Sequence, residues 1–109
     1  MTTVEEYYSL KPADYGPVSR LVFRQVQPEG ATPEQILEVE LFLRPNLSGR
    51  KMKLVFFGVN SLIFLQPEWS LVSLGLLDIR QVAGGFGVSE EEGLVKLTCK
   101  SFVAEVMGE

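Results

Sequence analysis

Between Gln35 and Gly58 the chain alternates apolar and polar positions in two runs separated by a turn-forming stretch. In the first run Leu37, Val39, Leu41 and Leu43 interleave with Glu38, Glu40 and Phe42, and in the second Met52, Leu54 and Phe56 interleave with Lys51, Lys53 and Val55. A period of two belongs to a strand with one dry and one wet face. Between the runs, RPNLSG supplies Pro45, Asn46, Ser48 and Gly49, residues suited to a reversal. The pattern predicts a β-hairpin over 35–58. Residues opposed across an antiparallel ladder share a face, so Glu38 and Glu40 are expected near Lys53 and Lys51. Exposed pairs of this kind contribute roughly 0.2–1 kcal/mol each, enough to choose a register. Burial of the leucine row holds the sheet, at about 1.5–3 kcal/mol for each fully buried Leu or Phe.

The same reading extends along the chain. Residues 18–27, VSRLVFRQVQ, predict a strand with Leu21 and Phe23 on one face and Val22 and Val26 on the other, covered at least partly on both sides. Thr32-Pro33-Glu34-Gln35 resembles a helix start. A continued helix would bring Glu38 and Glu40 into its apolar face, so strict alternation outweighs the cap and allows at most one helical turn before the strand. Gly58 to Ser61 predicts a tight turn or bulge leading into a short strand, LIFLQ, at 62–66, ended by Pro67-Glu68-Trp69-Ser70. Residues 71–82 hold two strand pieces around Gly75, a glycine that marks a bulge or a close backbone approach. From Ala83 to Gly93 a long connection is expected. In the last run Val95, Leu97 and Cys99 share one face, after which Phe102, Ala104 and Val106 continue in the opposite phase, so a one-residue β-bulge is expected near Lys100 or Ser101.

Residues 1–17 differ from the rest. Thr2 or Thr3 ahead of Glu5 and Glu6 has capping-box spacing, but Pro12 limits any helix to one or two turns, and Asp14-Tyr15-Gly16-Pro17 marks a turn. Tyr7, Tyr8, Leu10 and Tyr15 make the segment a lid packing on or flanking the sheet, or else an arm for a partner. Together these elements predict an all-β fold: a single antiparallel domain of about six to seven strands with minimal helix, forming a sandwich or partly open barrel. A chain of 109 residues is long enough for one core.

Composition narrows the function. The net charge is −4, and no run of Lys or Arg could track a phosphate backbone, which argues against nucleic acid as a partner. No apolar run approaches the ~20 residues of a membrane span, and the N-terminus lacks the pattern of a secretory signal, so a soluble cytoplasmic protein without membrane partners is expected. There is no histidine, and Cys99 is the only cysteine. That absence removes the commonest general base, every Ser-His or Cys-His nucleophile and any single-chain zinc site of ordinary type. Neither enzymatic activity nor a cofactor is expected.

Each remaining motif has a plain structural explanation. Ala83-Gly84-Gly85-Phe86-Gly87 lacks the spacing of a phosphate loop and reads as a hairpin loop. Glu90, Glu91 and Glu92 lack the alternating oxygens of a calcium loop and read as a solvated charged turn. Asp78 and Arg80 form a same-face pair on a strand. Cys99 in an apolar row packs as a small hydrophobe.

The stretches LVFFGVNSLIF (54–64) and LVKLTCKSFVAEV (94–106), separated by a late acidic turn, resemble those of a group of small bacterial all-β proteins that includes immunity-type proteins of polymorphic toxin systems. The resemblance implies an antiparallel β fold and a protein partner, and carries over no functional residue.

Below its charged end, the polar face of the predicted hairpin turns apolar at Ile36, Val55 and Phe57. Such a patch marks an interface, covered by the Tyr7-Tyr8-Leu10 segment or by a second copy in a homodimer. Trp69 is a further candidate anchor. The expected function is a non-catalytic protein-interaction or binding module of immunity-like type. The alternative is a carrier of a small apolar ligand in a barrel cavity, recognisable by a dry space above ~300 Å³.

Overall fold

A computed structural model describes residues 2–27, 29–30, 32–44, 49–65 and 73–108. In chain order it holds helix α1 (Val4–Ser9), a 3-10 turn (Pro12–Asp14), and strands β1 (Tyr15–Val26), β2 (Glu34–Leu43), β3 (Lys51–Phe57), β4 (Ser61–Phe64), β5 (Leu77–Val82), β6 (Gly85–Glu90), β7 (Val95–Cys99) and β8 (Ser101–Met107). They form two antiparallel four-stranded sheets, ordered β1-β2-β3-β8 and β4-β7-β6-β5. The expected all-β, sandwich-like architecture is therefore present. No helix among the described residues is long and apolar enough to cross a membrane.

The central hairpin pairs as its alternation requires. Leu37, Val39 and Leu41 lie opposite Phe56, Leu54 and Met52, and all six are buried in the core. Strand β2 starts at Glu34, so alternation did outweigh the Thr32-Pro33 cap. On the outer face Glu40 lies opposite Lys53 and reaches Lys51 at 3.9 Å, while the Lys51 ammonium also sits 5.2 Å from the centre of the Phe42 ring. Glu38 departs from expectation. The register sets Val55 opposite it, and its carboxylate pairs with Arg24 of β1 at 3.2 Å. Of the turn residues between β2 and β3, Pro45, Asn46 and Ser48 lie outside the described residues, while Gly49 takes φ 80°, open to glycine at no steric cost.

The two stretches singled out by the resemblance, 54–64 and 94–106, turn out to pair with each other along their length and to cross together from one sheet to the other. Val55 faces Val103 and Phe57 faces Ser101 in the first sheet, and Ser61 faces Thr98 in the second. The phase change near Lys100 sits where the sequence put it, but it is a corner between sheets, not a bulge within one ladder. Lys100 donates its amide to the Phe57 carbonyl at 2.9 Å, and Asn60 donates to the Thr98 carbonyl at 2.9 Å, so the corner keeps its hydrogen bonds. Gly58, at φ 66°, makes the matching bend, with the Lys100 side chain lying where a Cβ would sit.

The stretch from Ala83 to Gly93 corrects a larger expectation. Instead of a long connection, a tight turn at Ala83-Gly84 closes a hairpin, and Gly85–Glu90 is an interior strand, β6, between β5 and β7. Its period of two is carried on one side only, by Phe86, Val88 and Glu90, all buried. On the other side Gly85 has no side chain because a Cβ there would run into the Cys99 carbonyl oxygen. The piece before Gly75 forms no strand among the described residues, where Ser73 makes only an isolated bridge to Pro17. Upstream, β1 begins at Tyr15, within the stretch expected to turn, and its register slips between Tyr15 and Arg20.

The sheets meet at two open sides, and α1 closes one of them. Its capping box is complete: Glu6 donates its amide to Thr3 Oγ1 at 3.1 Å, and Thr3 donates to Glu6 Oε1 at 2.8 Å. Thr2 bonds the edge of β8, donating to the Phe102 carbonyl at 3.0 Å and accepting from the Ala104 amide at 2.9 Å. Tyr7 fills the gap behind it, ring against Phe102 and hydroxyl donating to the Leu77 carbonyl at 2.7 Å. Tyr8 latches the far edge, donating to Asp78 Oδ1 at 2.6 Å and accepting from the Ile79 amide at 3.0 Å. The lid predicted for residues 1–17 thus closes the gap between the β8 and β5 edges. It lies away from the face bearing Phe57, since Tyr7 packs with Phe102 on the inner side of the sheet.

Two buried groups link this core to alkaline pH. Burial first, then the nearby Tyr8 and Asp78, raise the Tyr7 hydroxyl far above its ordinary value near 10.0. Burial pushes the Cys99 thiol from 9.0 up to about 11. Both acids hold their protons more tightly when folded, so the stability they contribute is complete below their unfolded values and is lost as pH rises above them. Urea unfolding at stepped pH is expected to show stability falling from about pH 9 and more steeply above about pH 10. Tyr7→Phe should flatten the second part while costing about 0.5–1.5 kcal/mol at neutral pH for the lost hydrogen bond.

Candidate functional site

On the side opposite α1, the described residues close the sandwich only in part. Leu74 donates its amide to the Gly16 carbonyl at 2.9 Å. The Arg44 guanidinium, lying over Gly16, donates to the carbonyls of Ala13 and Leu74. Beyond this staple β1 continues to Val26 as the terminal strand of its sheet, and β4 is terminal in the other.

Between these two edges lies a cleft of about 180 Å³. Leu21 and Phe23 of β1 form one lip and Leu62 and Phe64 of β4 contribute to the other, with Phe56 and Leu77 among the residues deeper in. The accessible wall is entirely apolar. Because Leu21 and Phe23 oppose Val39 and Leu37, they belong to the core-facing side of their sheet. They remain 36% and 48% exposed. The sequence placed them on one face, and β1 is partly covered on both sides as expected, with Val22 and Val26 half-buried on the outer one. Two large apolar side chains beside an apolar cleft form a surface suited to desolvation by a partner.

The other candidates take structural places. Cys99 is buried, and its raised thiol is a poor nucleophile. Among the described residues no group of His, Cys, Asp and Glu is arranged to hold a metal ion. Glu91 and Glu92 form the exposed charged turn that was expected, but Glu90 does not belong to it. It is 4% exposed, and its carboxylate accepts backbone amides from Gly75 at 2.6 Å, Glu92 at 2.7 Å and Leu94 at 2.9 Å. Gly75 is the close approach expected of it, since a Cβ there would sit 3.0 Å from Glu90 Oε2. Glu90 therefore pins two loops and is fully occupied. Asp78 and Arg80 pair at 3.7 Å on the exposed side of β5.

Of the four residues expected to mark an interface, Ile36, Val55 and Phe57 do share the outer face of the first sheet, with Ile36 directly opposite Phe57. Ile36 is only 5% exposed and Val55 and Phe57 are half-buried, so this patch offers less free surface than the β1 lip. Trp69 lies outside the described residues. What sequence reasoning missed was the importance of Leu21 and Phe23. Their spacing signalled a core-facing row, and only the strand order reveals that the row lies at an edge. No family model, curated protein or solved structure matches the chain.

Proposed function

We propose that this protein is a non-catalytic protein-interaction module that engages its partner through the β1 lip and the adjoining cleft. The observation that carries the reading is the exposure of Leu21 and Phe23 on the core-facing side of an edge strand, above an apolar cleft. Completing the burial of side chains still 36% and 48% exposed would add roughly a third to a half of the about 1.5–3 kcal/mol that full burial gives each, the behaviour of an interface anchor. The resemblance of 54–64 and 94–106 to immunity-type proteins fits a toxin domain as that partner. A carrier function is less well supported. At about 180 Å³ the cleft lies below the ~300 Å³ at which ligand pockets begin, and it is open at its lip.

Affinity capture from the native cell, with native mass spectrometry of what is retained, tests the proposal. A protein should be held by the wild type and by Phe57→Glu and lost with Phe23→Glu, both variants keeping β-sheet circular dichroism. Retention of a small apolar molecule without any protein would establish the carrier instead.

A further inference from the structure

Building on that reading, we infer that the partner presents an extended segment of alternating apolar and acidic residues, which adds to β1 as a fifth strand of its sheet. Strand β1 ends the order β1-β2-β3-β8, and among the described residues its far side is met at Gly16 and Pro17, by the Leu74 amide, the Arg44 guanidinium and the Ser73 bridge. Its backbone from Arg20 to Val26 is therefore a template for strand addition. An added strand turns alternate side chains to opposite faces. One set would meet Leu21 and Phe23 and reach the cleft, which accepts only apolar groups. The other set would face Arg20 and Arg24, both exposed on the outer side.

Charge settles the second set. In a chain of net charge −4, β1 carries two arginines and no acidic residue. Toward β2, Arg24 already holds Glu38 at 3.2 Å, whereas Arg20 faces Glu40, which is paired with Lys51, so among the described residues Arg20 makes no ion pair and is the nearer cation for an incoming carboxylate. Acidic residues on the incoming strand would give opposite-charge cross-strand pairs. A second copy fits poorly. Antiparallel self-pairing that sets Leu21 against Phe23 also sets Arg20 against Arg24, and like charges directly opposite are destabilising.

The probe is a capped heptapeptide, acetyl-Glu-Leu-Glu-Phe-Glu-Leu-Glu-amide, compared with the same peptide carrying Lys for Glu, both titrated into the isotope-labelled protein and followed by NMR. The Glu peptide should shift resonances of residues 20–26, Leu37 and Val39 and bind at least tenfold more tightly than the Lys peptide. The double variant Arg20→Glu/Arg24→Glu, on exposed positions, should reverse that preference, and Phe23→Glu should weaken both peptides at least tenfold. Equal affinity for the two peptides, shifts confined to the Ile36–Phe57 face, or no binding at millimolar peptide would overturn the inference. So would a wild-type dimer joined through β1. If the peptide fails while Phe23-dependent protein capture persists, the strand chemistry is wrong and the interaction module stands; if capture also fails, both fall.

Discussion

Phe102→Ala is expected to lower the unfolding free energy by about 3–5 kcal/mol, a large fraction of the roughly 5–15 kcal/mol that holds a domain of this size. Phe102 is fully buried, and its ring meets Phe86 edge-on at 5.1 Å, Tyr7 edge-on at 6.0 Å and Phe56 at 6.3 Å. Those three neighbours come from β6, α1 and β3, so one side chain joins both sheets and the helical lid. Removing it leaves a cavity whose walls belong to three separately anchored elements and cannot easily collapse together. Urea unfolding followed by tryptophan fluorescence and by circular dichroism should give the same reduced midpoint. A loss below about 1 kcal/mol, the range of tolerated volume-conserving swaps, would mean that Phe102 does not join the layers as described.

Glu90→Ala is expected to cost about 2–4 kcal/mol, because hydrogen bonds to charged groups are the stronger ones and three backbone donors lose their acceptor at once. Glu90→Gln separates charge from shape. Oε1 accepts from both Glu92 and Leu94, whereas Oε2 accepts from Gly75. A glutamine can preserve the first pair but would turn its amino group toward the Gly75 donor, so it should recover only part of the loss. Proteolysis near Gly75 or near Gly93 should quicken in the alanine variant. If both variants unfold like the wild type, the carboxylate does not pin these loops.

Much of the fold was readable because alternation is a direct record of burial. In the central hairpin every inward position is Leu, Val, Met or Phe, so the register that buries them is the one observed, and a slip would expose the row. Strand β6 escaped because its record is one-sided. Gly85, Gly87 and Ser89 look like loop residues, and Glu90 looks like a surface charge, yet the glycine at 85 is required by the Cys99 carbonyl and the glutamate is buried by three amide donors. The corner at Lys100 left a phase change in the sequence, which marks an irregularity without saying whether the strand stays in its sheet. The same limit applies to the candidate site. Spacing places Leu21 and Phe23 on the core-facing side, but which strand lies beyond β1 is a property of topology, and alternation alone does not show that Ile36 is already buried beside Phe57.

That β1 from Arg20 to Val26, paired among the described residues only with β2, offers an edge beside the cleft is the claim on which the functional reading depends, and amide hydrogen exchange in the unliganded protein tests it most directly. In an edge strand only the amides directed at the neighbouring strand are held in the ladder. From Arg20 to Val26, amides aimed at β2 should exchange slowly and the alternate ones quickly, while both sets should be slow in the interior strand β3. Slow exchange at both sets in β1 would contradict the account, since it would mean that the edge is already occupied within the folded chain.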